Sequence, residues 1–246
     1  MQLVRSILYT SWLFLGTLLY ALILLCVFWL PMRHLQALAR SWARSQLRML
    51  RLLCGLDYRV SGQEHIPAGA HVALCKHSSA WETIAQTVLL PPQAWVLKRE
   101  LTWIPFVGWA MRRLKPIAIN RSAGASAVHQ VVKQGQERLR EGLWVVVFPE
   151  GTRVAAGESR KYGVSGALLA SKAGCKVLPV AHDAGRYWPR RGWLKKRGTI
   201  RVVIGPPIDA AGQDPRVVTE RAQEWIESTL ARNDGAELGA LSAERA

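Results

Sequence analysis

The pattern of apolar and polar positions separates an N-terminal membrane-like segment from the rest of the chain. No charged residue lies between Arg5 and Arg33, and the run from Ile7 to Leu30 is almost wholly apolar. A helix needs about 20 such residues to cross a bilayer. The run is longer than the apolar segment of a cleaved signal peptide, which has about 7–15 residues. We therefore predict a membrane anchor helix over residues 1–33.

The next segment, residues 34–56, interleaves leucines with arginines. This pattern is typical of an amphipathic helix on a membrane surface, although the same helix could pack on a soluble domain. Hydropathy leaves open whether the anchor spans the bilayer or dips into one leaflet as a helical hairpin. Arg5 alone precedes the apolar run, whereas five arginines follow it between 33 and 51. The positive-inside rule therefore predicts that the rest of the chain is cytoplasmic.

From residue 57 short apolar runs alternate with helical periodicity. Continuous Val-rich runs such as 144–148 are typical of strands buried on both faces, and the alternation predicts an α/β fold with a largely parallel central sheet flanked by helices. We assign residues 57–232 to this domain and expect a disordered tail over 233–246. The predicted strands are 57–61, 71–75, 94–98, 116–119, 143–148, 176–180 and 199–204, and the predicted helices are 79–90, 105–114, 122–141, 163–173 and 215–231.

Composition narrows the choice of partner. The 33 basic and 17 acidic residues give a net charge of +16, which indicates an anionic partner such as nucleic acid or an anionic membrane leaflet. The 11 tryptophans fit a membrane interface, a core, or both. The cysteines are scattered, without a C-x-x-C pair, so the sequence predicts neither a disulfide framework nor a zinc site.

One candidate catalytic pair follows the predicted strand 71–75. His77 lies just beyond that strand, and Glu82 lies five positions later, in the first turn of the next predicted helix. A carboxylate beside a histidine can fix the imidazole tautomer and stabilise the imidazolium as a proton arrives. Because the chain has no G-x-S-x-G nucleophile motif, the pair favours a base that activates a hydroxyl of the substrate. A purely structural His–Glu pair is the alternative.

A second polar segment follows the predicted strand 143–148. It holds Glu150, Gly151, Thr152 and Arg153. Glycine lets the backbone approach a ligand closely, and arginine suits bidentate binding of phosphate. An ordinary strand-ending turn is the alternative interpretation.

Two basic positions stand beside further predicted strands. Lys98 begins a basic run that precedes the apolar, aromatic stretch 103–109, and Arg121 follows the strand at 116–119. Together they indicate either a phosphate site beside an apolar groove or a solvated basic face over the core. The strand 176–180, followed by His182, indicates little by itself.

In this order, these four segments resemble the motifs of the 1-acylglycerol-3-phosphate acyltransferase family, which acts in glycerolipid synthesis. The resemblance covers about residues 57–210 and extends to the N-terminal membrane helices. Its specific element is the combination of the His77 segment with Phe-Pro-Glu-Gly-Thr-Arg at 148–153. Two positions depart from the family pattern: Lys76 replaces an asparagine, and Glu82 replaces an aspartate and is one methylene longer.

The resemblance implies a glycerolipid-acyltransferase fold and direct acyl transfer, without an acyl-enzyme. His77, paired with Glu82, would remove the proton from the sn-2 hydroxyl of a lysophospholipid, which then attacks the thioester of acyl-CoA or acyl carrier protein. The stretch 103–109 would line the acyl groove. No metal or further cofactor is implied. The residues assigned to the acceptor are Glu150, Gly151, Thr152, Arg153, Lys98 and Arg121.

We therefore expect an enzyme that forms phosphatidic acid at the inner membrane of a bacterium, with its catalytic domain on the cytoplasmic side. The partners would be membrane lipids and the acyl donor, without nucleic acid. A different acceptor, such as a lyso-aminolipid, and a non-enzymatic basic membrane or nucleic-acid binding protein are the alternatives. A late basic cluster at 186–197 fits a membrane surface, an acidic carrier protein or a solvated loop. The oligomeric state is open.

Overall fold

The computed structural model describes residues 1–120 and 123–243, with side chains up to residue 232. The helices are α1 (Gln2–Cys26), α2 (Met32–Cys54), α3 (Trp81–Leu89), α4 (Val107–Arg113), α5 (Ala125–Arg140), α6 (Ser165–Ala173), α7 (Ala184–Tyr187) and α8 (Pro215–Ala243). The strands are β1 (Leu56–Ser61), β2 (Val72–Cys75), β3 (Gln93–Lys98), β4 (Ile117–Ile119), β5 (Trp144–Val147), β6 (Lys176–His182), β7 (Gly198–Ile204) and β8 (Ile208–Asp209).

The strands form one eight-stranded sheet in the order β1-β7-β6-β2-β5-β3-β4, with β8 paired to β6. The pairs β6–β2, β2–β5, β5–β3, β3–β4 and β1–β7 are parallel. Within the described part of the chain, β6 also pairs with β7 and with β8, and both of these pairs are antiparallel. The predicted α/β class with a largely parallel sheet is therefore confirmed, and all seven predicted strands are present among the described residues.

The sheet separates two apolar layers. In β5, Trp144 and Val146 face the layer that holds α1, α2 and α3, whereas Val145 and Val147 face the layer that holds α5, α6 and α8. Successive strand residues point to opposite faces, and a strand covered on both faces has to be apolar at every position. The four residues of β5 and of β2 are indeed all buried.

The N-terminal helices form an antiparallel pair on one face of this domain. Among the described residues, α1 is the one helix long and apolar enough to cross a membrane by length and composition. One side of α1 packs on α2 and the domain through residues such as Tyr9, Ala21 and Leu24, which are buried. Its other side exposes large apolar residues, with Phe14 70% exposed. The predicted amphipathic helix is α2, whose apolar side faces the domain.

Three local features differ from the sequence prediction. The short elements α7 and β8 were not predicted, because segments of four and two residues carry no readable period. Helix α8 continues to Ala243, whereas the sequence predicted the end of this helix at 231.

Candidate active site

The parallel strands β2, β5 and β6 are neighbours, and their carboxyl ends lie at one edge of the sheet. This edge is where sites gather in open α/β folds. His77 follows β2, the segment 148–153 follows β5, and His182 ends β6. The backbone N–H of Lys76 donates to the carbonyl of Val180 on β6, and that of Val154 donates to the carbonyl of His77, at 2.8 Å. Three predicted segments thus converge on one loop.

The predicted His–Glu pair is formed. His77 Nδ1 lies 2.9 Å from Glu82 Oε1, and both side chains are buried. The same oxygen accepts hydrogen bonds from the backbone N–H groups of Ser78 and Ser79, at 3.0 and 2.8 Å. Because Glu82 engages Nδ1 as a donor, Nε2 is the ring nitrogen left to accept a proton from a substrate.

The Glu82 carboxylate remains ionised although it is buried. Burial by itself would raise its pKa, but the charges of His182 and His77 and the hydrogen bonds from His77 and Ser79 outweigh burial and lower the pKa below its ordinary value. The stabilisation that this group gives the fold is therefore present above the ordinary carboxylate pKa of about 4.3 and is lost only in stronger acid. Glu82 is thus charged at neutral pH, which an orienting partner of His77 requires.

The ring of His77 is fixed from its other side as well. It stacks on the ring of Phe148, with centroids 4.2 Å apart and planes within 19°. Ser79, whose hydroxyl accepts from Trp81 N–H and donates to Trp188 O, fixes the start of α3 and so the position of Glu82. The imidazole therefore has one orientation before any substrate arrives, which limits the reorganisation needed for proton transfer.

Glu150 lies beneath the catalytic loop. Its side chain is buried, and Oε1 accepts a hydrogen bond from the backbone N–H of His77, at 3.1 Å. Lys76 Nζ lies 3.6 Å from the same oxygen and 2.7 Å from Glu227 Oε1 on α8. The hydroxyl of Tyr162 also donates to Glu227, at 2.9 Å. The unexpected Lys76 thus joins the catalytic loop to Glu150 and to the C-terminal helix.

The balance of charge in this cluster depends on Lys76. Burial raises the pKa of Glu150, although the hydrogen bonds from its own backbone and from His77, and then the Lys76 charge, oppose that rise. A buried carboxylate of this kind needs its cation, because removing one member of a buried pair leaves an uncompensated charge. In this structure Glu150 supports the position of His77 and does not line the cavity described below.

The remaining predicted acceptor residues lie around the site at different distances from the histidine. Gly151 is exposed and has a φ of 69°, the left-handed conformation that favours glycine. Thr152 and Arg153 are half-buried, and Arg153 lines a cavity beside Phe148. Lys98, at the end of β3, is exposed and lies 4.0 Å from Glu100. Arg121 lies outside the described residues.

An apolar cavity of about 300 Å³ extends from the membrane-like helices to the segment that follows β5. Within the stretch 103–109, which the resemblance assigned to the acyl groove, only Val107 lines this cavity. Trp103, Phe106 and Trp109 are exposed on the surface instead. At its inner end the cavity reaches Phe148 and Arg153. The other lining residues come from α1, α2, α3, β3 and α4 and include Ala21, Leu24, Leu38, Val96, Leu97, Leu101, Ala110, Met111 and Leu114.

Sequence reasoning missed two residues of the site. His182 lies with Nε2 3.9 Å from Glu82 Oε2 and donates to the carbonyl of Lys76, at 2.8 Å. The position of His182 at the end of β6 would have indicated that it belongs to the site if the pairing of β6 with β2 had been known. Glu227 sits on an amphipathic helix 150 residues beyond the motif that it supports, and no local pattern distinguishes it from a solvated glutamate.

Comparisons with known proteins show the family to which the chain is related. A family model described as Acyltransferase matches residues 57–183. The chain is 46% identical over 206 residues to the 1-acyl-sn-glycerol-3-phosphate acyltransferase of Pseudomonas aeruginosa, covering 82% of this chain and 80% of that protein. It is 29% identical over 189 residues to the protein of the same name from Saccharomyces cerevisiae, covering 74% of this chain and 61% of the yeast protein.

A solved structure shows the same architecture. The 1-acyl-sn-glycerophosphate acyltransferase of Thermotoga maritima superposes with a TM-score of 0.79, over 95% of this chain and 96% of that one, at 20% identity. This likeness shows the shared fold. The class of protein, an acyltransferase, is shown by the family model and by the sequence match to the Pseudomonas protein. The sequence matches are more specific, and the chain belongs to the Acyltransferase family.

The Lys76 cluster gives a prediction on stability. Lys76→Met should lower the free energy of unfolding by about 3–5 kcal/mol, because it leaves Glu150 without its buried cation. The exposed pair Lys115–Glu141 provides the control: Lys115→Met should cost less than about 1 kcal/mol. Thermal unfolding of the purified proteins in detergent measures both. Adding Glu150→Gln to the Lys76 variant should restore part of the loss, and equal unfolding of Lys76→Met and wild type would contradict this account.

Proposed function

We propose that this acyltransferase moves a fatty acyl group from acyl-CoA or acyl carrier protein to the sn-2 hydroxyl of 1-acylglycerol-3-phosphate and so forms phosphatidic acid. The observation that carries the proposal is the position of the His77–Glu82 pair, beside the inner end of an apolar cavity that also holds Arg153. The names of the relatives from Pseudomonas and yeast support the same acceptor.

The proposed reaction uses Nε2 of His77, the ring nitrogen that is not bound to Glu82 and can accept a proton. Nε2 takes the proton of the acceptor hydroxyl as its oxygen attacks the thioester carbonyl. The tetrahedral intermediate then collapses, the C–S bond breaks, and the thiolate of the donor leaves and takes the proton back from the imidazolium. Glu82 holds the tautomer and stabilises the imidazolium between these two steps. General base catalysis of this kind contributes about 10²–10⁴-fold, and positioning of the two substrates contributes further.

In this proposal, the apolar cavity holds an acyl chain and the basic residues hold the acceptor phosphate. Arg153 is the principal candidate for the phosphate, with Gly151 and Thr152 presenting the adjoining backbone, and with Lys98 and Arg121 as further candidates. Glu150 acts as a positioning residue through the backbone of His77. A lyso-aminolipid acceptor is the weaker alternative, because it would give these cations no phosphate to bind.

We further propose that α1 lies within one leaflet and does not cross the bilayer. At its start, Gln2 donates to the carbonyls of Cys54 and Lys195, and at its end Leu24 packs near Ala110 and Leu114. Both ends of the helix therefore lie on the catalytic domain, which supports an orientation along the membrane surface. The arginines that follow α1 support the cytoplasmic face of the inner membrane.

Replacement of the base should abolish the reaction. His77→Ala should reduce phosphatidic acid formation by about 10²–10⁴-fold, since the acceptor hydroxyl loses its base. The measurement is transfer from labelled acyl-CoA and from acyl carrier protein to lysophosphatidic acid in detergent. Wild-type-like thermal unfolding and vesicle binding provide the control for folding. Retained turnover would refute the mechanism, whereas a wild type inactive with both donors and active on another lysolipid would refute the acceptor.

Arg153 should act on the acceptor and not on the donor. Arg153→Ala should raise the KM for lysophosphatidic acid by about 10- to 100-fold, which corresponds to a lost hydrogen bond between charged groups, and should leave the donor KM unchanged. Arg160, an exposed arginine of the same connection, is the matched control, and Arg160→Ala should behave like the wild type. An unchanged acceptor KM in Arg153→Ala would contradict the assignment.

A further inference from the structure

The connection between α7 and β7, residues 189–197, is an exposed loop that is both aromatic and basic. Trp193 is 70% exposed and Leu194 is 39% exposed. No acidic residue occurs between Asp183 and Asp209, so nothing in this part of the sequence balances the charge. The exposed basic residues of the loop are Arg190, Arg191, Lys196 and Arg197.

The loop is fastened to α1 by its one buried cation, Lys195. The backbone N–H of Lys195 donates to the hydroxyl of Ser6, and its ammonium group bonds to Thr10 Oγ1 and to the carbonyl of Trp193, at 3.1 Å. The side chain of Gln2 donates to the carbonyl of Lys195, at 2.6 Å. These bonds hold the loop against the first turns of α1. The exposed side chain of Trp193 therefore has a fixed position relative to that helix.

The same turns of α1 expose the apolar side of that helix. Leu3, Val4, Ile7 and Leu8 are all exposed, and they alternate with the positions to which the loop is bound. Because the loop is bound to this part of α1, it adds the exposed Trp193 and Leu194, together with its exposed basic side chains, to the surface next to the helix.

We propose that residues 189–197 form a second membrane contact, in which Trp193 and Leu194 enter the interface beside α1 and the exposed arginines and lysine bind the phosphates of anionic lipids. Tryptophan is enriched at membrane interfaces, and basic residues beside an apolar membrane-binding surface gain affinity from anionic headgroups. The inference rests on the membrane association proposed above and is independent of the acyl transfer reaction.

The attachment of the loop to the first turns of α1 favours a lipid surface over an acidic carrier protein. Because the loop lies beside the exposed apolar residues of α1, a membrane that receives α1 also meets Trp193. A carrier protein docked on the loop would have to cover that tryptophan and the adjoining part of α1 together. The position also has a consequence for the site, because Arg190 Nη1 donates to the carbonyl of Arg153, at 2.9 Å. The membrane contact is therefore joined to the segment proposed to hold the acceptor phosphate.

The test measures binding of the full-length protein to phosphatidylcholine vesicles, with and without phosphatidylglycerol, as lipid is titrated in the absence of an acyl donor. The double variant Lys196→Glu/Arg197→Glu should need at least about tenfold more lipid for half-binding to the anionic vesicles, and this difference should shrink at high salt. Trp193→Ala should weaken binding to both kinds of vesicle.

Matched controls lie on the opposite layer of the sheet. Lys133→Glu/Arg140→Glu on α5 changes the charge equally, and Val217→Ala on α8 removes another exposed apolar group. Both should bind vesicles like the wild type. Unchanged vesicle binding in the loop variants would overturn the proposal, as would a rise in the KM for acyl carrier protein in detergent without any loss of vesicle binding.

A measurement on the wild type avoids any effect of the variants on folding. Hydrogen exchange in residues 189–197 should slow when anionic vesicles are added, while exchange in α5 should stay the same. If anionic vesicles slowed hydrogen exchange in α1 but left exchange in residues 189–197 unchanged, the proposal would also be overturned. Because vesicle binding and hydrogen exchange are measured without acyl transfer, a failure of these two measurements is distinct from a failure of the proposed reaction.

Discussion

A buried carboxylate that has to stay ionised is the constraint on which this structure depends. Glu82 can remain charged inside the protein only if several donors surround it, because an unpaired buried charge is strongly unfavourable. His77 and the backbone N–H groups of Ser78 and Ser79 meet this need. These hydrogen bonds to the Glu82 carboxylate fix the path of the loop between β2 and α3. The loop in turn fixes the orientation of the imidazole proposed for catalysis.

Residues from other parts of the fold contact this loop and its imidazole from two sides. On one side, Glu150 bonds to the backbone of His77 and is balanced by Lys76, which reaches α8 through Glu227. On the other side, Phe148 stacks on the imidazole and also lines the apolar cavity. The cavity is walled by α1 and α2, so the helices proposed to meet the membrane also shape the site. A lipid acceptor could reach the base from a leaflet without leaving an apolar environment.

Much of this arrangement was predictable from the sequence, and the reasons for the gaps are physical. Period and apolar runs are local, so the strands and the long helices followed from them. The His77–Glu82 pair was predicted from its place after a strand and from the family resemblance. Contacts between distant segments leave no local mark, and the ion pair of Lys76 with Glu227 was therefore missed. Glu150, which the resemblance assigns to the acceptor, is buried beneath the loop between β2 and α3, and no local pattern showed this burial. Strand order, which sequence does not give, brings His182 to Glu82.

The measurement that tests the central claim most directly compares acyl transfer by Glu82→Gln and Glu82→Asp with the wild type. Glutamine is isosteric, so its amide oxygen can still accept from Ser78 and Ser79, and the variant removes the charge while keeping the shape. We predict a loss of about 10²–10⁴-fold for glutamine, with normal unfolding and vesicle binding, and substantial activity for aspartate, which keeps the carboxylate. A glutamine variant as active as the wild type would contradict the account, because the buried charge would then have no part in the reaction.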